Sequence, residues 1–357
     1  MICLLFTYIS VSRMLKLGIL SLGLGFASHW FAVWFGINAR SIPYLEEMMN
    51  TAIAVSLYIN VLAIDRTLFK SNLGLIGRVL VFGVPIKIIL PGFLLALLSP
   101  SIAPIAYLCA TVIAQMDPIA AAKSLDNSKI SRKSETILRA WTSFDDPITV
   151  LFAFYIFLPL LVSTNFSVSQ YLVRIAADIV GCLTAYYFSK WLNTIKTDIK
   201  KYLEIIFIVI IIIYSVLSDS FILPAFSGIF LRPIASEKLE VIITPIFYLS
   251  VIVIGLLSTN LRLDWLSGAI LGFSTFFLGQ VIVTLLFIKE SIANKARVMF
   301  GHQNGMTAIL LTVAIEVSGS EKTRDMLSVT LPAIILIALF YFSTNYLLDR
   351  TLPRLQT

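Results

Sequence analysis

Apolar runs close to the roughly 20 residues needed to cross hydrocarbon recur along the whole chain, with short polar stretches between them. The pattern predicts thirteen membrane segments. They fall at about 1–12, 17–37, 44–64, 78–99, 102–122, 135–161, 169–190, 202–218, 219–232, 241–259, 264–288, 296–317 and 326–347. The first and ninth are short, and the ninth reads either as re-entrant or as part of a bent helix with the eighth. The N-terminal apolar stretch shows no clear cleavage site and reads as a first span rather than a signal peptide. No long polar stretch interrupts the series. The expected fold is therefore an all-α polytopic membrane protein, one transmembrane domain over 1–357.

Composition agrees. Hydrophobic residues make up 58% and charged residues 13% of the 357, against about 45–50% and about 25% in soluble domains. The net charge of +7 does not point to nucleic acid, because the basic residues sit in short loops rather than in one stripe. Arg40, Arg262, Lys322 and Arg324 fall in one alternating set of loops, and Lys87 and Arg174 fall within spans. The other 21 of 27 Lys and Arg lie in the opposite set. That asymmetry makes the basic side cytoplasmic. It places the N-terminus outside and the C-terminus inside a cell (plasma or inner) membrane, with the lipid bilayer as the surrounding partner. Cys3, Cys109 and Cys182 lie inside apolar runs without metal-ligand spacing and read as structural small residues. No cofactor is expected.

Charged groups at membrane depth cost about 2.5–3.5 kcal/mol each on insertion scales, so each needs a reason. The densest group lies in segments five and six. Segment five, CATVIAQMDPIAAAKSL, holds Gln115, Asp117 and Pro118 near its middle. Proline removes a backbone donor and clashes with the preceding turn, and unwound backbone is tolerated at depth only where it lines a cavity or packs in protein. Asp117 beside such a break reads either as a cap or as a direct cation contact. Segment six, ILRAWTSFDDPITVLFAF, holds Thr142, Ser143, Asp145, Asp146 and Pro147. Asp145 and Asp146 are adjacent and point about 100° apart on a helix, so one faces a path and the other faces a neighbouring helix or is kept protonated. They titrate as a coupled pair. A second break, Gly301-His302-Gln303-Asn304-Gly305, interrupts segment twelve. Two interrupted helices in corresponding halves point to a transporter site. Segments 4–6 and 11–13 are related by a shift of seven, an odd number, which gives inverted topology. His302 reads as a pH sensor or as a structural hydrogen-bonding group.

These residues carry a resemblance to the monovalent cation:proton antiporter superfamily, the sodium/proton exchangers, over most of the chain. AQMDPIAAA resembles that superfamily's Thr-Asp-Pro-Val-Ala element, SFDDPITVLF its Asp-Asp or Asn-Asp element, and GHQNGMTAILLTVAIE its second broken helix. The resemblance implies two discontinuous crossing helices and a homodimer. Within each protomer it implies a core, segments about 78–161 and 264–347, that moves against a scaffold in an elevator-like way. It also implies a cation (Na⁺, Li⁺ or K⁺) and a proton competing for Asp146, with Asp117 as a further metal-cation contact. Asp145 takes the position that is Asp in electrogenic members and Asn in electroneutral ones. Asp145, Asp117, Thr142 and Ser143 complete the expected ion and proton site, supported by Gln115, Asn304, Gln303, His302, Gln280 and Lys87. Met116 departs from the usual Thr. Gln280 stands where many members have a buried Lys or Arg, while Lys87 places a charge in the related segment four. Lys87 either offsets a buried carboxylate, or snorkels or contacts the dimer scaffold.

Other classes stay in view. A cation-coupled symporter of an organic solute would need a larger cavity on a similar fold. An intramembrane aspartyl protease needs two aspartates on separate helices, typically one after Gly-x-Gly, which this adjacent pair does not offer. A channel or passive scaffold is a further alternative.

Overall fold

A computed structural model describes residues 14–37, 42–62, 73–116, 131–162, 168–195, 199–218, 220–233, 239–257, 261–301, 304, 306–317 and 321–351. Among them every regular element is helical. In chain order the helices are α1 (Met14–Phe35), α2 (Leu45–Leu62), α3 (73–98), α4 (Ala106–Ala114), α5 (132–162), α6 (Val168–Leu192) and α7 (Ile199–Ser218). They continue with α8 (Ile222–Phe230), α9 (Leu239–Leu257), α10 (265–287), α11 (Ile292–Met299), α12 (Met306–Val317) and α13 (Met326–Thr351). Among the described residues, six stretches are long and apolar enough to cross a membrane: Val79–Leu98, Ile137–Leu161, Leu172–Leu192, Ile199–Ser218, Trp265–Phe287 and Glu321–Leu348. The expected first segment, 1–12, lies outside the described residues. The nine residues of α8 rise only about 14 Å, too short to cross hydrocarbon alone.

Polar side chains set several helix starts. Ser131 caps α5 by accepting from the Ser134 amide, Asp264 caps α10 through the Ser267 amide, and Ser291 caps α11 through the Asn294 amide. Trp34 and Leu217, on α1 and α7, are more than four-fifths exposed, as suits side chains facing lipid tails. The inward faces of α2, α4, α12 and α13 form the main apolar core, with Met49, Leu57, Leu108, Ile113, Leu310 and Val329 fully or almost fully buried.

Two features position the site. First, α3 and α10 each contain a π turn, Val79–Gly83 and Ser274–Gly279, and α5 contains another at Ala153–Phe157. α3 and α10 pack on each other there. Small residues let the backbones close in: a Cβ at Gly279 would lie 3.4 Å from the Lys87 Cα, and one at Gly83 only 2.7 Å from a Val283 methyl. Second, α4 stops at Ala114, and Gln115 is extended (φ −60°, ψ 140°). The break therefore begins three residues ahead of Pro118, where the sequence pointed. A proline clashes with the carbonyl four residues earlier, which here is Ala114, and the Asn304 amide takes up carbonyls near that end.

Candidate functional site

The interruption between α11 and α12 meets the end of α4. Asn304 Nδ2 donates to the Ile113 and Gln115 carbonyls, both at 2.8 Å. Those carbonyls belong to the last turn of a helix, where no intrahelical partner exists. The end of α11 is satisfied in the same way. Gln280 Nε2 donates to the Val298 carbonyl at 3.1 Å, and Asn345 Nδ2 donates to the Phe300 carbonyl at 3.0 Å. Gln280 thus holds a helix end. Asn304→Ala should remove both of these hydrogen bonds and lower stability by about 2 kcal/mol. A thermal melt in detergent should show the loss, and an unshifted melting temperature would remove Asn304 as the clasp.

Beside this contact runs α5, and its two aspartates are both 0% exposed. Successive side chains on a helix diverge, and these two reach different neighbours. Asp145 Oδ2 accepts from Lys87 Nζ of α3 at 2.8 Å, an ion pair with neither side chain exposed. The same ammonium lies 5.2 Å from the centroid of the Trp141 ring, one turn earlier on α5, within cation–π range. Asp146 Oδ2 accepts from Asn60 Nδ2 of α2 at 2.6 Å. Pro147 supplies no amide to its own helix. Thr149 Oγ1 approaches the Asp145 and Asp146 carbonyls at 2.9 Å each.

The structure therefore brings Lys87 to Asp145 and joins Asn304 to the Gln115 backbone. Thr142 is buried but turned to its own helix, its hydroxyl donating to the Arg139 carbonyl at 3.1 Å. The Gln115 side chain is fully buried, and among the described residues neither end of its amide has a hydrogen-bond partner. Met116 is also fully buried, among apolar side chains. Asp117, Pro118, His302, Gln303 and the Ser143 side chain lie outside the described residues. Asn60 is the residue the sequence reading passed over. Its signal was a carboxamide in the last turn of an apolar span, which gave no indication of a partner 86 positions away.

A second acidic cluster lies where α6 meets the π turn of α5. Asp178 is 3% exposed and accepts from the Tyr155 and Ser220 hydroxyls. The Arg174 guanidinium sits 5.0 Å from the Tyr155 ring centroid.

Solved structures of similar shape identify the architecture. The sodium proton antiporter MjNhaP1 from Methanocaldococcus jannaschii at pH 8 superimposes with a TM-score of 0.69 at 16% identity. That match covers 94% of this chain and 97% of the other. A second MjNhaP1 structure, from electron microscopy, gives a TM-score of 0.63 at 14% identity, covering 100% of this chain and 95% of the other. No curated relative matches the sequence. The molecule is thus an integral membrane protein with the antiporter fold. The transmembrane sodium/hydrogen exchanger family matches residues 1–231, and the chain belongs to that family. Its class of activity is cation:proton antiport, and family and fold alike are those of transporters.

Proposed function

We propose that the chain exchanges a monovalent cation, Na⁺, Li⁺ or K⁺, for protons, and that Asp146 is the carboxylate the two ions share. One observation carries this reading: two adjacent, fully buried carboxylates are met by chemically different partners. Asp145 is held by an ammonium, and Asp146 receives a neutral amide. A carboxylate solvated by an amide can give up that contact to a proton or a cation. Either loaded form crosses the low-dielectric barrier more easily than the bare anion. Asp117 is a further candidate contact for the cation. No cofactor takes part.

The surrounding assembly is part of the same proposal. Of the thirteen segments, 4–6 and 11–13 form inverted repeats, with a core at about 78–161 and 264–347 moving against the scaffold of a homodimer. The N-terminus lies outside and the C-terminus in the cytoplasm, in a cell membrane. The presence of a π turn in both α3 and α10 supports the internal repeat. The reading is tested with purified protein in liposomes carrying a pH dye. Na⁺, Li⁺ or K⁺ should each be tried over a pH series, and at least one should drive proton flux. Flux absent with all three, in protein shown to be folded, would overturn it.

A further inference from the structure

One hydrogen bond ties the Asp146 carboxylate to a helix outside its own moving unit. In the division proposed above, α5 belongs to the core, whereas α2, α6 and α8 belong to the scaffold. Asn60 of α2 is 4% exposed and donates from Nδ2 to Asp146 Oδ2 at 2.6 Å. Its helix is fastened to α8. Tyr58, two residues earlier, donates its hydroxyl to the Leu231 carbonyl at the end of α8, at 2.9 Å. A Cβ at Gly228 of α8 would lie only 2.6 Å from the Tyr58 carbonyl oxygen, so the two backbones are in close contact. The Asn60 amide is therefore held with the scaffold and does not follow α5. A slide of α5 past α2 by ~2.5 Å carries the pair beyond about 3.5 Å, out of hydrogen-bond range.

A second polar contact crosses the same boundary. Tyr155, about two and a half turns further along α5, donates its hydroxyl to Asp178 of α6. That contact keeps the same chemistry whatever Asp146 carries. The Asn60 bond does not. An amide N–H bonds an ionised carboxylate about twice as strongly as a neutral acceptor. A proton on Asp146 removes the charge, and a cation takes the oxygen lone pairs and repels the amide hydrogens. The bond is strong only while Asp146 is bare.

We propose that Asn60 is a coupling latch: its amide ties the core to the scaffold while Asp146 is bare and lets go once Asp146 is loaded. The inference rests on the function proposed above. An exchanger is coupled only if its empty form does not reorient. The cost of taking a bare anion through low dielectric opposes that step in general, and here a specific bond opposes it as well. The latch acts in the state the structure describes, so it blocks return of the empty core from that state. With the latch cut, release of a cation is followed by empty return, and the cation runs down its gradient with no proton in exchange.

The test compares the unmodified protein with Asn60→Leu, which keeps the branching of the side chain without the donor, and with Tyr155→Phe, which cuts the other contact. Each is placed in liposomes, in both orientations, with isotopically labelled Na⁺, Li⁺ or K⁺ inside, whichever the unmodified protein exchanges. The pH is set high enough that proton-driven efflux from the unmodified protein has fallen to background, and a permeant anion balances charge. Two rates are read: exchange against the same unlabelled cation outside, and net efflux into medium free of it. The ratio of net efflux to exchange should rise about tenfold or more in Asn60→Leu, as for loss of a hydrogen bond to a charged group. In Tyr155→Phe the ratio should stay at the parent value. An unchanged ratio in Asn60→Leu, an equal rise in Tyr155→Phe, or loss of exchange itself in folded Asn60→Leu would each overturn the latch. Should Asn60→Leu not fold, Asn60→Ala removes the same donor without adding volume and is read in the same way. Failure of the antiport reading is visible separately, as no exchange of any of the three cations by the unmodified protein.

Discussion

Asp146→Asn should abolish cation-driven proton flux in liposomes while the protein still folds and reconstitutes. The asparagine keeps the size of the side chain and can still bond Asn60. It carries no charge to bind a cation and no site that takes up a proton near neutral pH. Both halves of the exchange use the same carboxylate in this scheme, so the expected loss is complete rather than partial. Radioactive cation uptake and dye-detected proton flux should vanish together. Full activity in Asp146→Asn would rule out the assignment.

The second large effect concerns the ion pair between α3 and α5. Lys87→Gln leaves Asp145 buried without its ammonium, and Asp145→Asn leaves Lys87 buried without its carboxylate. Removing one partner of a buried pair costs about 3–5 kcal/mol, whereas removing both together costs far less. Each single variant should therefore melt well below the parent, and Lys87→Gln/Asp145→Asn should recover most of the loss. The double variant also isolates Asp146. It should still exchange, with fewer protons per cation and weaker dependence on an imposed membrane potential. Additive melting losses would mean that the 2.8 Å contact contributes no coupling. Unchanged transport and an unchanged pH profile in Lys87→Gln would remove Lys87 from the mechanism.

The helices were legible because each apolar run has nowhere to go but the bilayer. The acidic pair was legible because carboxylates followed by Ile-Thr-Val-Leu-Phe are costly at that depth. What sequence could not supply was rotation. Lys87 had two readings, pairing or snorkelling, and only the turn of α3 about its own axis separates them. That turn depends on backbone bonds at Val79–Gly83, which no residue type announces. The end of α4 at Ala114 was hidden for a similar reason. Its carbonyls go to Asn304, 189 and 191 positions away, a partner that no local pattern announces. Asn60 was passed over because a single amide in the last turn of an apolar span reads as ordinary helix–helix contact until its partner is known.

The π turn in α3 ends four residues before Lys87. A turn closed by i→i+5 bonds holds one residue more than an α turn, and one residue corresponds to about 100° of azimuth. Lys87 therefore points where the residue at 86 would point in an uninterrupted α-helix, and the face of α3 that meets Asp145 is out of phase with the face the same helix presents before the bulge. The counter-charge of the acidic pair is in this sense a matter of reading frame along a helix. Relocating one surplus residue from one side of Lys87 to the other would turn the ammonium away from Asp145 without changing a single side chain.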